Sequence, residues 1–204
     1  MSLRNKRKQE TREQILKYAR HLFSDRGYQQ TTVSEIAAQS GIAEGTIYNY
    51  FDSKGEILVT IFAEYFPQKS YQFNDIKPGK PEDLVEEIIN FLEHHLSIVK
   101  KLDKSLLREG FSLQLKYKHE NENIFKELDK IDQKIIKEVR EFLFELKDKK
   151  VIVSDVDLYK FTNICYSIYH YNFSKFVMGP QSDYGNFISE LKEEIRFIIR
   201  EILM

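Results

Sequence analysis

Apolar side chains recur every three or four residues along most of this chain, and little interrupts them. Leu84, Ile88, Leu92, His95 and Val99 mark one stripe. Ile124, Leu128, Ile131, Ile135, Val139, Phe142 and Leu146 mark a longer one, and Phe187, Leu191, Ile195, Ile198 and Ile202 mark the last. That spacing places each set on one face of an α-helix. Only 8 glycines and 4 prolines punctuate the 204 residues. No strand-like alternation of any length is present, and the only β-branched run, Val151 to Val153, falls in a turn. The sequence therefore predicts an all-α protein: an N-terminal three-helix bundle with a helix-turn-helix, and a larger C-terminal antiparallel helical bundle.

Composition narrows the class. At 42% hydrophobic and 31% charged residues, the chain is expected to be soluble and to bury a real core. Cys165 is the only cysteine, so no internal disulfide can form, which fits a reducing, cytoplasmic setting. The charged N-terminus has no apolar run behind it, and no stretch is apolar for long enough to span a bilayer, so neither a signal peptide nor a membrane partner is expected. Charge is distributed unevenly. In residues 1–30, Arg4, Lys6, Arg7, Lys8, Arg12, Lys17, Arg20 and Arg26 face only Glu10, Glu13 and Asp25, a surplus of +5. With a net charge of −1, the remainder carries −6. A basic head on an acidic body suits a polyanion partner, and it suits a solubilising tail as well.

The N-terminal helices can be placed from their punctuation. The first runs from about Lys8 to Arg26, burying Ile15, Ala19, Leu22 and Phe23, and stops at Gly27. Thr31 or Thr32 caps a second helix, Val33 to Gln39, with Glu35 placed to complete a capping box. A third is expected from about Glu44 to Phe51. Asp52 or Ser53 caps a fourth, with Ile57, Leu58, Ile61, Phe62 and Tyr65 inward, ending near Pro67. Ala37 is small where two helices must meet, and Gly41, four residues on, permits the sharp turn. Ile36, Ile42, Ile47 and Phe51 peg the pair together as in a helix-turn-helix. Glu44, Thr46, Tyr48 and Asn49 are then left at the outer edge. Such side chains reach base edges when a helix lies in a major groove, Tyr48 can meet thymine methyls or phosphates, and Lys54 can hold a phosphate. The same face also suits a solvent-exposed helical hairpin. The loop-like stretch from Gln68 to Gly79, or the fourth helix just before it, is the expected boundary, giving a head of residues 1–53 and a body of residues 54–204.

The head resembles the N-terminal domain of the TetR family of transcriptional repressors. The likeness is carried by Ala19-Arg-His-Leu-Phe23, Gly27-Tyr28, Thr31-Thr32-Val33, Ile36-Ala37, Gly41 and Gly45-Thr-Ile-Tyr-Asn-Tyr-Phe-Asp-Ser-Lys54, followed by Ile57-Leu58. Asn49 stands where family members often carry histidine, which bears on base preference rather than on fold. The resemblance implies that Thr32, Tyr48, Tyr50 and Lys54 touch phosphates. It places Ala43, Glu44, Gly45, Thr46 and Asn49 nearest the base edges, with the basic N-terminal arm adding backbone or minor-groove contacts. It also implies a double-stranded DNA operator of near-palindromic sequence, a homodimer formed through the last two helices, and a small ligand that binds between body helices and shifts the fourth. The breadth of the final helix, with Ile195, Ile198, Ile199, Ile202 and Leu203, agrees with a partner there, though the same face can pack within its own chain.

In the body, helices are expected from Lys104 to about Lys118 and from Asp155 to Met178, where Gly179-Pro180 breaks the chain. The candidate ligand residues are His95, Phe161, Cys165, Tyr166, Tyr169, His170 and Phe173, with Tyr171 and Phe176 nearby. Apolar walls with few polar groups suit a small hydrophobic or amphipathic molecule, while aromatics at helical spacing also serve as plain core. His94 and His95 are adjacent, so they cannot share a helix face, and no cysteine or carboxylate cluster completes a metal site. No phosphate loop, nucleophile elbow or zinc-protease motif occurs, so no enzyme, metal or cofactor is expected. The run Gly45 to Phe51 and the aromatic body are similar to fatty-acyl-responsive family members, and drug-efflux control is an equally open reading. A regulator with no small-molecule ligand, governed by a protein partner or by abundance, is the alternative.

Overall fold

The computed structural model describes residues 2–67, 69–77, 80–120, 122–152, 155–179 and 183–200. The α-helices among them are α1 (Leu3–Arg26), α2 (Val33–Gln39), α3 (Glu44–Ile47), α4 (Lys54–Tyr65), α5 (Pro81–His95), α6 (Lys104–Glu120), α7 (Glu122–Asp148), α8 (Leu158–Met178) and α9 (Tyr184–Ile198). A 3-10 turn, Leu96–Lys100, comes directly after α5. The described residues contain no strand, so the fold is all-α as the stripes require. Pro78, Gly79, Val153, Pro180, Ile202 and Leu203 lie outside the described residues, as do the side chains of Ile124 and Leu128.

The helices sort into two compact units. The first comprises residues 1–66 and 98–129. Its α1 starts at Leu3, five residues before the expected Lys8. The reason is local: Ser2 Oγ caps the Asn5 N–H at 3.3 Å, and lysine and arginine are good helix formers. Ile15, Leu16, Ala19, Leu22 and Phe23 are buried along it. Gly27 ends α1 at φ 81°, its N–H donating to Phe23 O at 3.0 Å. Gly41 takes φ 66° between α2 and α3, a left-handed turn that costs glycine nothing. The capping box forms as the spacing predicts, Thr32 with Glu35.

Helix α3 is shorter than expected. It ends at Ile47, and the Asn49 and Tyr50 N–H groups donate to Thr46 O and Ile47 O at 3.1 and 2.8 Å. Those bonds wind Tyr48 to Tyr50 into a tighter turn rather than a further α-helical turn. Phe51 still reaches the core, so the peg survives the change of winding.

Within the same unit α4 packs against α6, and Gly110 allows the close approach. A Cβ placed there would lie 1.7 Å from Phe62 Cε2, so the Phe62 ring fills the notch that the missing side chain leaves.

The second unit comprises residues 67–97 and 130–204, with α5, the later part of α7, α8 and α9. α5 stops at His95, which moves Val99 into the 3-10 turn and off the stripe that the sequence predicts. α9 packs on α8 and α5. Glu82 receives Arg196 at 2.9 Å and also Arg200, tying the start of α5 to the end of α9. The stretch after α4 lacks regular structure, as expected of a loop, but it is pinned. The Phe73 ring stacks on Phe142 at 4.0 Å and on Phe91 at 5.1 Å. Buried Glu87 accepts from the Asn74 N–H at 2.7 Å and from Asn74 Nδ2 at 2.8 Å.

Gly110→Ala is expected to destabilise the protein by about 1–3 kcal/mol through overpacking. Adding Phe62→Leu should recover part of that loss, as read from urea unfolding curves of the two variants.

Candidate functional site

The tip of the first unit is built by two buried pegs and the side chains that they turn outward. Ile47 and Phe51 are each 1% exposed, and Ile36 is fully buried beneath them. Fixing those two sides of the α3 turn leaves Ala43, Glu44, Gly45, Tyr48 and Asn49 exposed, with Thr46 and Tyr50 half-buried. Ala43 is the N-cap of α3 and has no side-chain cap; Glu44 supplies the first-turn acid instead. A surface of one acid, one amide and two tyrosines on a rigid turn has both donors and acceptors at its edge. The Arg12 guanidinium of α1 lies 5.1 Å from the Phe51 ring centre and brings a cation to the flank of this tip. No spacing in the sequence signals that contact, because it depends on how α1 crosses α3.

Two residues that the family resemblance puts on phosphates have other work in this structure. Thr32 Oγ1 accepts the Glu35 N–H at 3.2 Å, and Glu35 Oε2 accepts the Thr32 N–H at 2.8 Å. The hydrogen bonds from Thr32 hold the Glu35 carboxyl below its usual range, and Arg26 pairs with it at 3.1 Å. The N-terminus of α2 thus already carries an anion.

Lys54 is similarly engaged. Its Nζ donates to Tyr28 O at 2.9 Å and to Thr31 O at 2.8 Å, and lies 4.4 Å from the Tyr28 ring centre. Burial lowers its pKa, against the pull of Glu109 and Glu35. Lys54 therefore ties the α1–α2 link to the start of α4, and one of its three ammonium protons remains beyond those two carbonyl bonds. Of the N-terminal cations, Arg4, Lys6, Arg7, Lys8 and Lys17 are exposed, and the first three sit on helix although the sequence places them ahead of it.

In the second unit a small cavity of about 20 Å³ lies among α5, α7, α8 and α9. Ile88 and Leu92, Ile135, Ile136 and Val139, Thr162, Cys165, Tyr166 and Tyr169, and Ile195 line it. Of the candidate ligand residues, Cys165, Tyr166 and Tyr169 meet there. Phe161 is buried away from the lining, and Phe173 joins a ring cluster with Tyr169, Phe176 and Phe187. His170 borders a shallow groove on α8 with Tyr166, Ser167, Tyr171 and Ser174. Tyr171 is 60% exposed, so it is not an inner wall. The aliphatic lining from α5 and α7 has no sequence signal of its own, because it looks the same as any core stripe. Burial pushes the Cys165 thiol up to about 12 and raises the Tyr169 hydroxyl as well, so neither ionises near neutrality.

His95 is 2% exposed but lies off that lining. Its Nδ1 pairs with Phe91 O at 3.0 Å, and its Nε2 stands 3.6 Å from Glu138 Oε2. Burial chiefly holds the imidazole below its ordinary pKa, outweighing the opposite influence of Phe91 O and Glu138, while His94 and Lys134 add to the lowering. Among the described residues no group of three or more potential metal ligands gathers, and no helix is long and apolar enough to cross a membrane.

Residues 15–61 match the family model for bacterial regulatory proteins of the tetR family. A fatty acid metabolism regulator protein of Bacillus subtilis is 46% identical over 55 residues, 27% of this chain and 28% of that protein. The HTH-type transcriptional repressor BepR of Brucella suis is 37% identical over 76 residues, 37% of this chain and 36% of its own length. The chain thus spans well under half of the length of these relatives. A crystal structure of Thermus thermophilus FadR, a TetR-family transcriptional repressor in complex with lauroyl-CoA, superposes with a TM-score of 0.59 at 20% identity, covering 95% of each chain. That likeness is one of fold.

The buried, uncharged imidazole has a consequence for stability. A base whose folded pKa is depressed binds fewer protons than in the unfolded chain, so stability is lost as pH falls through the unfolded value, about 6.5 for histidine. His95→Gln should show a shallower loss than the parent between about pH 7 and about pH 5.5, measured by urea unfolding at each pH.

Proposed function

We propose that this chain, which belongs to the TetR family of transcriptional regulators, is a cytoplasmic, dimeric repressor released from its operator by a small apolar or amphipathic ligand. The observation that carries the DNA part is the α3 tip: exposed Glu44, Tyr48 and Asn49 raised on the buried pegs Ile47 and Phe51. Residues 1–53 form the DNA-binding part in this reading and residues 54–204 the ligand-binding and dimerising part. Ala43, Glu44, Gly45, Thr46 and Asn49 face base edges. Tyr48, Tyr50, the hydroxyl of Thr32 and the remaining proton of Lys54 face phosphates. The helical start of α1 brings Arg4, Lys6, Arg7 and Lys8 to the backbone of the duplex.

A dimer through α8 and α9 is supported by what those helices expose. Ile164, Tyr171 and Met178 are 46%, 60% and 51% exposed at successive seven-residue steps on α8, and Phe197 of α9 is 67% exposed. A heptad-spaced apolar seam is the form that helix pairing between subunits takes. Two such chains would place their α3 turns on successive major grooves about 34–36 Å apart, on a near-palindromic site.

The ligand site in this reading lies in the second unit, where Cys165, Tyr166 and Tyr169 border the apolar cavity; the other residues of the reading, His95, Phe161, His170 and Phe173, are off its lining. The acyl-CoA found with the Thermus thermophilus protein is the first ligand class to test. A second reading, a regulator with no small-molecule ligand, is favoured by one observation: about 20 Å³ is room for a water and no more, so any ligand must open this core.

Asn49→Ala is expected to weaken binding to the cognate upstream DNA by about 1–3 kcal/mol while leaving binding to random DNA unchanged. Fluorescence anisotropy at fixed moderate salt separates the two, and an equal loss on both sequences would remove Asn49 from the base edge. Tyr171→Glu combined with Phe197→Glu should turn a dimer into a folded monomer in sedimentation analysis and sharply reduce operator affinity.

A further inference from the structure

The second unit buries a pair of polar side chains that its own fold leaves incompletely bonded. Phe91 O can only accept, so the hydrogen shared with His95 Nδ1 sits on the imidazole, and the neutral ring presents a lone pair at Nε2. That nitrogen is buried and has no hydrogen-bond partner; neither has Glu138 Oε1. The two side chains are 2% and 10% exposed and face each other across 3.6 Å, too far for a direct hydrogen bond. Lys134 Nζ approaches Glu138 Oε1 only to 3.8 Å, its ammonium donating instead to Pro67 O at 2.9 Å. The Tyr71 N–H reaches Glu138 Oε2 at the long distance of 3.4 Å. Buried acceptors without donors are costly, and here two stand side by side.

Their place in the fold gives the gap a meaning. His95 lies one turn beyond Leu92 on α5, and Glu138 lies between Ile135 and Val139 on α7; those three neighbours all line the cavity. Resting on the reading of that cavity as the ligand site, we infer that His95 and Glu138, which lie behind its lining, become its hydrogen-bond-accepting end when a ligand opens the core, and that the effector joins an apolar body to an uncharged donor, a hydroxyl or an amide N–H. Such a donor supplies what the pair lacks. A free carboxylate brings a third acceptor and a second negative charge beside Glu138, and is rejected. An ammonium meets Lys134 at the same carboxylate. The pair thus sets the chemical class of the ligand's polar end, whereas the aliphatic walls set only its size.

Four ten-carbon probes separate these features: 1-decanol and decanamide carry a donor, methyl decanoate is neutral with acceptors only, and decanoate is an anion. Titration calorimetry on the full chain is expected to rank decanol and decanamide at least about tenfold tighter than the other two, the scale of one hydrogen bond to a charged group. Glu138→Gln, whose amide can donate, should admit decanoate and erase that ranking. Equal binding of all four probes to the parent protein would overturn the accepting pair while leaving an apolar ligand site intact. If none of the four binds, the ligand site itself is lost, and the accepting pair with it. Because the ranking is read on the parent protein, a variant that misfolds does not decide the matter.

Discussion

The ammonium of Lys54 holds the α3 tip of the first unit together. It joins the α1–α2 link, through the carbonyls of Tyr28 and Thr31 and the Tyr28 ring, to the first turn of α4. The Tyr28 carbonyl also accepts the Thr31 N–H at 3.3 Å, so the lysine adds a second donor to a turn that the link already makes. Thr31 adds a second layer, its hydroxyl donating to Gly27 O at 2.9 Å. With the link fixed at both ends, α2 and the α3 turn have one position relative to α1. The outward side chains at Tyr48 and Asn49 inherit that rigidity, which is what a base-reading surface requires. A cation at this position thus organises the fold, whatever it meets outside.

Much of the head was legible because its signals are local. Gly27 and Gly41 appear where left-handed turns are needed, Thr32 and Glu35 sit at capping-box spacing, and Ile47 and Phe51 are four residues apart on a segment that must bury one side. What escaped the sequence was winding and partnership. Arg4 to Arg7 read as lying ahead of the first helix, yet Ser2 caps them into it. The α3 turn tightens after Ile47, although the apolar spacing alone continues it to Phe51. Lys54 read as a phosphate ligand because the two carbonyls that it meets lie more than twenty residues upstream.

The body was legible as stripes and illegible as a site. Ile88, Leu92, Ile135, Val139 and Ile195 were visible as core positions, but periodicity cannot say which core positions face a void. Glu138 shows the limit most clearly. On α7 it is one carboxylate among many on a charged helix, and only the placement of α5 opposite reveals that it is shut in beside an imidazole. Conversely, the aromatic density of α8 drew attention to His170 and Tyr171, which the helix turns toward its outer side. An aromatic-rich helix carries two populations, rings that fill a core and rings that wait for a partner, and spacing separates them only once the neighbours are in place.

The early start of α1 has a kinetic meaning. A floppy basic tail sweeps a large volume and must surrender that freedom each time it grips a polyanion, whereas charges mounted on a continuous rod have already made that surrender during folding. The first residues of this chain therefore trade reach for readiness. On the proposed DNA-binding reading, such cations would meet a duplex in fixed register rather than thread into it.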